Sequence, residues 1–285
     1  MTTDFEIKIE RGEHGAGFSR PDLRDYRIAK ASLNTEFPEE FELDYMSPVK
    51  NQGSVGSCVA HAIATCAEYF NWRQHNLVAE LSPGYIYGNR VPPLGTGAGM
   101  VTRDAIANFC IDGAPFLLDF PLYCEVPEII DAVAAQKEEL HPRASKSHFS
   151  AYLKVSSEQE IKTALLDGCP IIIAVDWQKD MKVTNGIIQS EWKESDGGHA
   201  MVIYGWDKNG WKVRNSWSIF WGNHGSAIWP YEYKIRELYA IIDTDDTLLD
   251  IDKPFAVKTK FGKWCIHVAN RIYSVFFSIR YKLKH

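Results

Sequence analysis

The chain has 285 residues, enough for one large domain or for two lobes sharing a cleft. Its 45% hydrophobic and 24% charged residues are those of a globular protein and exclude a disordered chain. The net charge of −6 hides an asymmetry: residues 251–285 hold eight Lys or Arg and one Asp, a balance of +7, leaving −6 − 7 = −13 on the rest. An acidic body argues against a nucleic-acid partner.

Residues 1–36 are polar, with Gly12, Gly15 and Gly17, and read as an extended, partly ordered arm. Residues 58–72 predict a helix that is apolar nearly all round and therefore buried. Ser82-Pro83 reads as an N-cap followed by proline at the first helical position. The run Gly95-Thr96-Gly97-Ala98-Gly99 predicts a tight loop where backbone can approach a ligand. Helices are predicted over 103–110, 127–140 and 157–167, the last opened by a capping box in Ser156-Ser157-Glu158-Gln159-Glu160. After Gly168 the period changes. Strands are predicted over 170–177, 200–206 and 211–214, with Asp207-Lys208-Asn209-Gly210 as a hairpin turn between the last two. Helices first and strands later predict an α+β chain with two lobes. Most of the nine Trp fall in the strand-rich half.

Two separated blocks carry chemistry. Gln52-Gly53-Ser54-Val55-Gly56-Ser57-Cys58 places a cysteine at the start of a helix, where the dipole favours a thiolate. His199 follows 141 residues later and Asn215 sixteen after that. A cysteine nucleophile needs a base, and the base needs an acceptor that fixes its tautomer. Singly, Cys58 reads as a small buried hydrophobe, His199 as a core histidine and Asn215 as a turn residue. Jointly, they have the order and spacing of a Cys-His-Asn catalytic set. His61, one turn past Cys58, reads as packed in the core or bonded to a backbone carbonyl, and Asp176 as a solvated carboxylate at a strand end.

Over residues 37–245 the sequence resembles the papain-like (C1) cysteine peptidases. The resemblance is strongest at Pro48 through Cys58, at Gly198-His199-Ala200, and at Asn215-Ser216-Trp217 with Trp221, Gly222 and Gly225. Weaker echoes lie in Leu81-Ser82-Pro83 and Phe120-Pro121-Leu122-Tyr123. It implies a helical N-terminal lobe and an antiparallel, β-barrel-like C-terminal lobe with the active-site cleft between them. By resemblance Cys58 is the nucleophile, His199 its base and later its acid, and Asn215 the orienting acceptor, with Trp217 shielding that bond. Gln52 and the Cys58 backbone N–H would hold the oxyanion. The implied reaction is hydrolysis of peptide bonds through a thioester on Cys58 by an endopeptidase, with a peptide or protein as substrate and no cofactor or metal. A catalytically silent peptide binder, or an acyltransferase or exopeptidase on the same scaffold, are the alternatives. Gly97, Gly99 and Met100 align with the family's substrate-binding loop, and Trp217 joins them as a substrate-binding residue. The sequence departs from the family at Val55, where a cysteine is usual, at Val59 after the nucleophile, at Gly198 where papain carries aspartate, and at Ser218 where glycine is usual.

The ends fall outside this pattern. The 36 residues ahead of the domain are too short for the family's helical propeptide, and the arm is expected to pack on the domain or lie across the cleft. The N-terminus has neither a basic nor an apolar signal region, predicting a cytoplasmic protein, and the six cysteines read as reduced thiols. Residues 246–285 form a basic extension in which 264–279 predict an amphipathic helix, too short to span a bilayer. It would dock on the acidic body or a protein partner, or associate peripherally with an anionic membrane surface. Oligomeric state is not readable from the sequence.

Overall fold

The computed structural model describes residues 14–19, 36–90 and 98–244. The predicted helix at 264–279, Cys265, Gly97 and most of the N-terminal arm lie outside the described residues. No helix among the described residues is long and apolar enough to cross a membrane.

The first half is helical. Helix α1 (Cys58–His75) is fully buried from Cys58 through Asn71. Its alanine-rich sequence contains neither Gly nor Pro, and it runs until Asn76 turns left-handed at φ 51°. Helix α2 (Pro83–Gly88) starts as expected, with the Ser82 side chain accepting from the Tyr85 amide. Helices α3 (Thr102–Asp112), α4 (Glu128–Ala144) and α5 (Glu158–Leu166) each fall within a few residues of the sequence expectation. The capping box of α5 is formed by Ser157 and Glu160.

The second half is a twisted sheet. Its centre is β5 (Ile171–Gln178) paired antiparallel with the long β8 (Ser195–Asp207). Residues 171–175 of β5 and 200–203 of β8 are continuous apolar runs because both faces are covered there. β8 turns through Asp207–Gly210 into β9 (Gly210–Arg214), as the sequence predicts. Beyond β9 lies β10 (Ser226–Pro230), and on the other side of β5 come β11 (Glu237–Ile242) and β4 (Ala151–Lys154). These three were not anticipated from the sequence. A hairpin of β6 (Lys182–Thr184) and β7 (Ile187–Gln189) completes the order, β7 meeting β10 in a parallel pair. β2 (Phe41–Glu42) adds to the start of the β8–β9 turn.

Two contacts position the site. Helix α1 packs on β8, bringing Cys58 to the strand that carries His199. Residues 14–19 include β1 (Ala16–Gly17), which pairs parallel with β3 (Met100–Val101), the segment leading into α3.

Candidate active site

Cys58 is the first residue of α1 and is wholly buried. Ser57 makes no side-chain cap, so the amides of the first turn keep their positive potential at the thiol. Backbone N–H groups of Ala200, Gly15, Val59 and Cys58 all approach the sulfur and favour the thiolate. Burial nevertheless outweighs them and raises the Cys58 pKa. The helix terminus and the neighbouring amides therefore pull the thiol toward ionisation while its burial pulls the other way.

His199 sits in mid-strand opposite Val175 and is also wholly buried. Its Nε2 lies 2.8 Å from Asn215 Oδ1, which also accepts the Ser216 amide at 2.8 Å. An amide oxygen has no hydrogen to give and can only accept, so the neutral ring carries hydrogen on Nε2 and a lone pair on Nδ1. Nδ1 is buried with no hydrogen-bond partner, and the next residue, Ala200, touches the thiol. Burial, with the neighbouring His14, lowers the His199 pKa to about 3 although the Asn215 bond opposes this. Trp217 stacks on the imidazole, centroids 4.4 Å apart. Ser218, just past it, holds φ at +64°, a left-handed conformation that glycine adopts without strain.

Gln52 is fixed from several sides. Its amide donates to Ser216 O at 2.8 Å, and Oε1 accepts from Ser216 Oγ at 2.6 Å. Nε2 donates one of its two hydrogens to Val55 O at 2.9 Å. Ser218 N bonds Lys50 O, and Asn51 bridges Trp217, so the Gln52 and Asn215 loops form one two-stranded ribbon. Beneath it the buried Lys50 ammonium meets Glu68 of α1 at 2.8 Å, and Glu68 also accepts the Leu81 amide. The set Gln52, Cys58, His199 and Asn215 is thus one connected unit.

Residues 14–19 lie over it, which the sequence left open. Gly15 reaches the Cys58 thiol, and Gly15 O accepts from Met100 N at 2.7 Å. A Cβ on Gly15 would stand 1.8 Å from Gly56 O, and one on Gly198 would stand 1.9 Å from Ala16 O. The glycine at 198, a departure from the family pattern, is therefore what lets the arm enter. His14 packs against the rings of Trp177, His199 and Trp217 and meets Asp196 at 3.1 Å. Ser19 N bonds Glu237 Oε1 at 2.6 Å. Gly99 (φ +86°) and Met100 face this segment, whereas Gly97 lies outside the described residues. Beyond His14, Trp177, Trp217, Met181 and Phe220 line an open groove of about 460 Å³.

Other readings sort cleanly. His61 Nδ1 lies 3.1 Å from Ser57 O, so it is a core histidine bonded to a carbonyl, with its pKa lowered to about 3, chiefly by burial. Asp176 is not simply solvated: it pairs with Arg236 at 2.9 Å. Cys58, Cys66, Cys110, Cys124 and Cys169 are free thiols, and no His, Cys, Asp and Glu cluster among the described residues could hold a metal.

Among solved structures, xylellain, a cysteine protease from Xylella fastidiosa, superposes with a TM-score of 0.67 at 21% identity, covering 83% of this chain and 98% of that one. A procathepsin B from Trypanosoma congolense gives 0.63 at 18%, over 80% and 85%. The fold is that of the papain-like cysteine peptidases. The papain family cysteine protease model matches residues 130–231 of this papain-like chain, a stretch holding His199 and Asn215. Mouse cathepsin O is 38% identical over 87 residues, 29% of this chain and 28% of that protein. A peptidase C1-like protein of Acanthamoeba polyphaga mimivirus is 28% identical over 204 residues, 66% and 65% of the two. The chain thus spans from about a quarter to just under two thirds of these curated relatives. With these matches the resemblance to the C1 family, read from the sequence, is borne out.

Sequence reasoning gave no role to Trp177, saw Tyr123 only as part of a weak family echo, and offered the cleft as one of two places for the arm, without naming His14–Ser19 as the residues that reach it.

Proposed function

We propose that this chain is a cysteine endopeptidase. The single observation that carries the reading is the orientation of His199: Asn215 claims Nε2, leaving a buried Nδ1 lone pair beside the nucleophile's neighbour. When the cleft admits water and substrate, burial ceases to oppose charge, and the thiol proton passes to Nδ1. The thiolate attacks the peptide carbonyl. The developing oxyanion is held by the Cys58 N–H and the Gln52 carboxamide. The imidazolium then protonates the leaving amine, the amine departs, and a thioester remains on Cys58. Water, deprotonated by His199, attacks the thioester and releases the acid. Cleavage within chains is supported by the path of residues 14–19, a continuous extended segment that passes over Cys58 with residues on both sides of it. The substrate is a peptide or protein, and a cytoplasmic site of action accords with reduced thiols.

The test is intact mass after an epoxysuccinyl-peptide probe, on the full chain and on Cys58→Ala and His199→Ala. One adduct on the parent and none on either variant is expected, together with peptide hydrolysis that both variants lose. An adduct that persists in Cys58→Ala refutes the assignment of the nucleophile.

A further inference from the structure

The segment between α3 and α4 contributes a hydroxyl to the oxyanion side of the site. Tyr123 Oη donates to the backbone carbonyl of Gln52 at 2.7 Å and makes a short contact with Ser57 Oγ. Ser57 immediately precedes Cys58, so one hydroxyl touches both loops that would supply oxyanion donors. Tyr123 gives its one hydrogen to Gln52 O. Ser57 Oγ also donates toward Val55 O at 3.4 Å and lies 3.2 Å from His61 Nδ1, which is itself 3.1 Å from Ser57 O. Tyr123, Ser57 and His61 thus form one buried polar cluster that joins the Gln52 loop to the start of the Cys58 helix, and burial keeps His61 neutral and the Tyr123 hydroxyl protonated.

Tyr123 is itself held in place. Ser82 Oγ, the cap of α2, donates to Phe120 O at 2.6 Å, and Leu81 bridges Phe116. The Tyr123 ring meets the His61 ring edge-on at 5.4 Å. The hydroxyl thus comes from a braced loop rather than a mobile side chain.

We propose that Tyr123 is a positioning residue that sets the distance between the Gln52 carboxamide and the Cys58 amide. It touches neither substrate nor thiol in the reaction, and the inference rests on the peptidase reading above. An oxyanion site gains its effect from donors already in place, so loss of one brace costs turnover rather than substrate binding.

The experiment compares Tyr123→Phe and Ser57→Ala in a full-length Gly15→Leu chain, in which the arm has no room over the thiol. Two reactions are measured: hydrolysis of a fluorogenic peptide, and alkylation of Cys58 by iodoacetamide, which forms no oxyanion. Each variant is expected to lower kcat about tenfold with KM within about twofold, while the alkylation rate stays level. The double variant should lose no more than about twice the single one, since both break the same cluster. Unchanged hydrolysis in both variants overturns the proposal. So does a parallel fall in hydrolysis and alkylation, which would mark a packing defect at Cys58. A parent that is alkylated but cleaves no peptide sinks the peptidase reading, and this inference with it.

Discussion

Gly15→Leu in the full-length chain should uncover the nucleophile. The added Cβ alone would sit 1.8 Å from Gly56 O, a backbone atom that cannot swing aside. What it must displace can be summed from the contacts of residues 14–19. At least seven hydrogen bonds hold them: Met100 N to Gly15 O, Thr102 Oγ1 to Gly17 O, Ser19 N and Ser19 Oγ to Glu237, Arg103 N and Tyr239 Oη to Ser19 Oγ, and His14 with Asp196. At about 1 kcal/mol each these give roughly 7 kcal/mol. Burial of Ala16 and part of Phe18 adds about 3 kcal/mol. Ordering six residues opposes this by about 6 kcal/mol at the low end of the backbone cost. The balance of about 4 kcal/mol leaves the cleft open in roughly 0.1% of molecules, so releasing the arm raises the rate by about a thousandfold at most. The assay is initial-rate hydrolysis of a fluorogenic peptide beside iodoacetamide alkylation, with thermal unfolding as a control on folding. Gly15→Ala should act in the same direction, since the clash begins at Cβ. Equal rates in parent and both variants, with thermal unfolding unchanged, would refute the reasoning.

Removal of Glu68 should cost stability. Glu68→Ala leaves the buried Lys50 ammonium with only the more distant Glu80 carboxylate at 3.4 Å and unpairs the Leu81 amide, and an unfolding midpoint in urea lower by the equivalent of about 3 kcal/mol is expected. Acid should also destabilise the fold. His61 and His199 are kept neutral, with pKa values of about 3 against about 6.5 in the unfolded chain. Depressed values contribute stability above pH 6.5 that is lost as pH falls toward 3. Between pH 6.5 and 5 each should cost about 1.6 kcal/mol, and His61→Asn should flatten that slope in urea titrations at the two pH values. Ser218→Gly should raise stability by about 0.5–1 kcal/mol by relieving φ +64°, net of the bond from Phe220 N to Ser218 Oγ, and a lower melting temperature would contradict this.

The helices and their starts were legible in the sequence because they follow from local chemistry. Pro83 behind Ser82, the Ser157–Glu160 box and the alanine-rich run after Cys58 act within one or two turns. The apolar strands β5 and β8 were legible for the same reason, and the order Cys58, His199, Asn215 was visible as spacing. Three decisions belonged to the tertiary structure alone. Which imidazole nitrogen carries hydrogen depends on Asn215 Oδ1, placed by the Gln52–Ser216 ribbon. The Tyr123 link depends on a segment braced by α2, 41 residues from Ser82 to Tyr123, a contact that no periodicity encodes. Desolvation at the site is the third: with Gly15 over the sulfur and His14 against the ring, burial pushes the Cys58 thiol up and the His199 imidazole down, against the pull of the helix terminus. Sequence fixes which groups can meet because backbone preferences are local, whereas water is excluded only by surfaces brought together from distant parts of the chain.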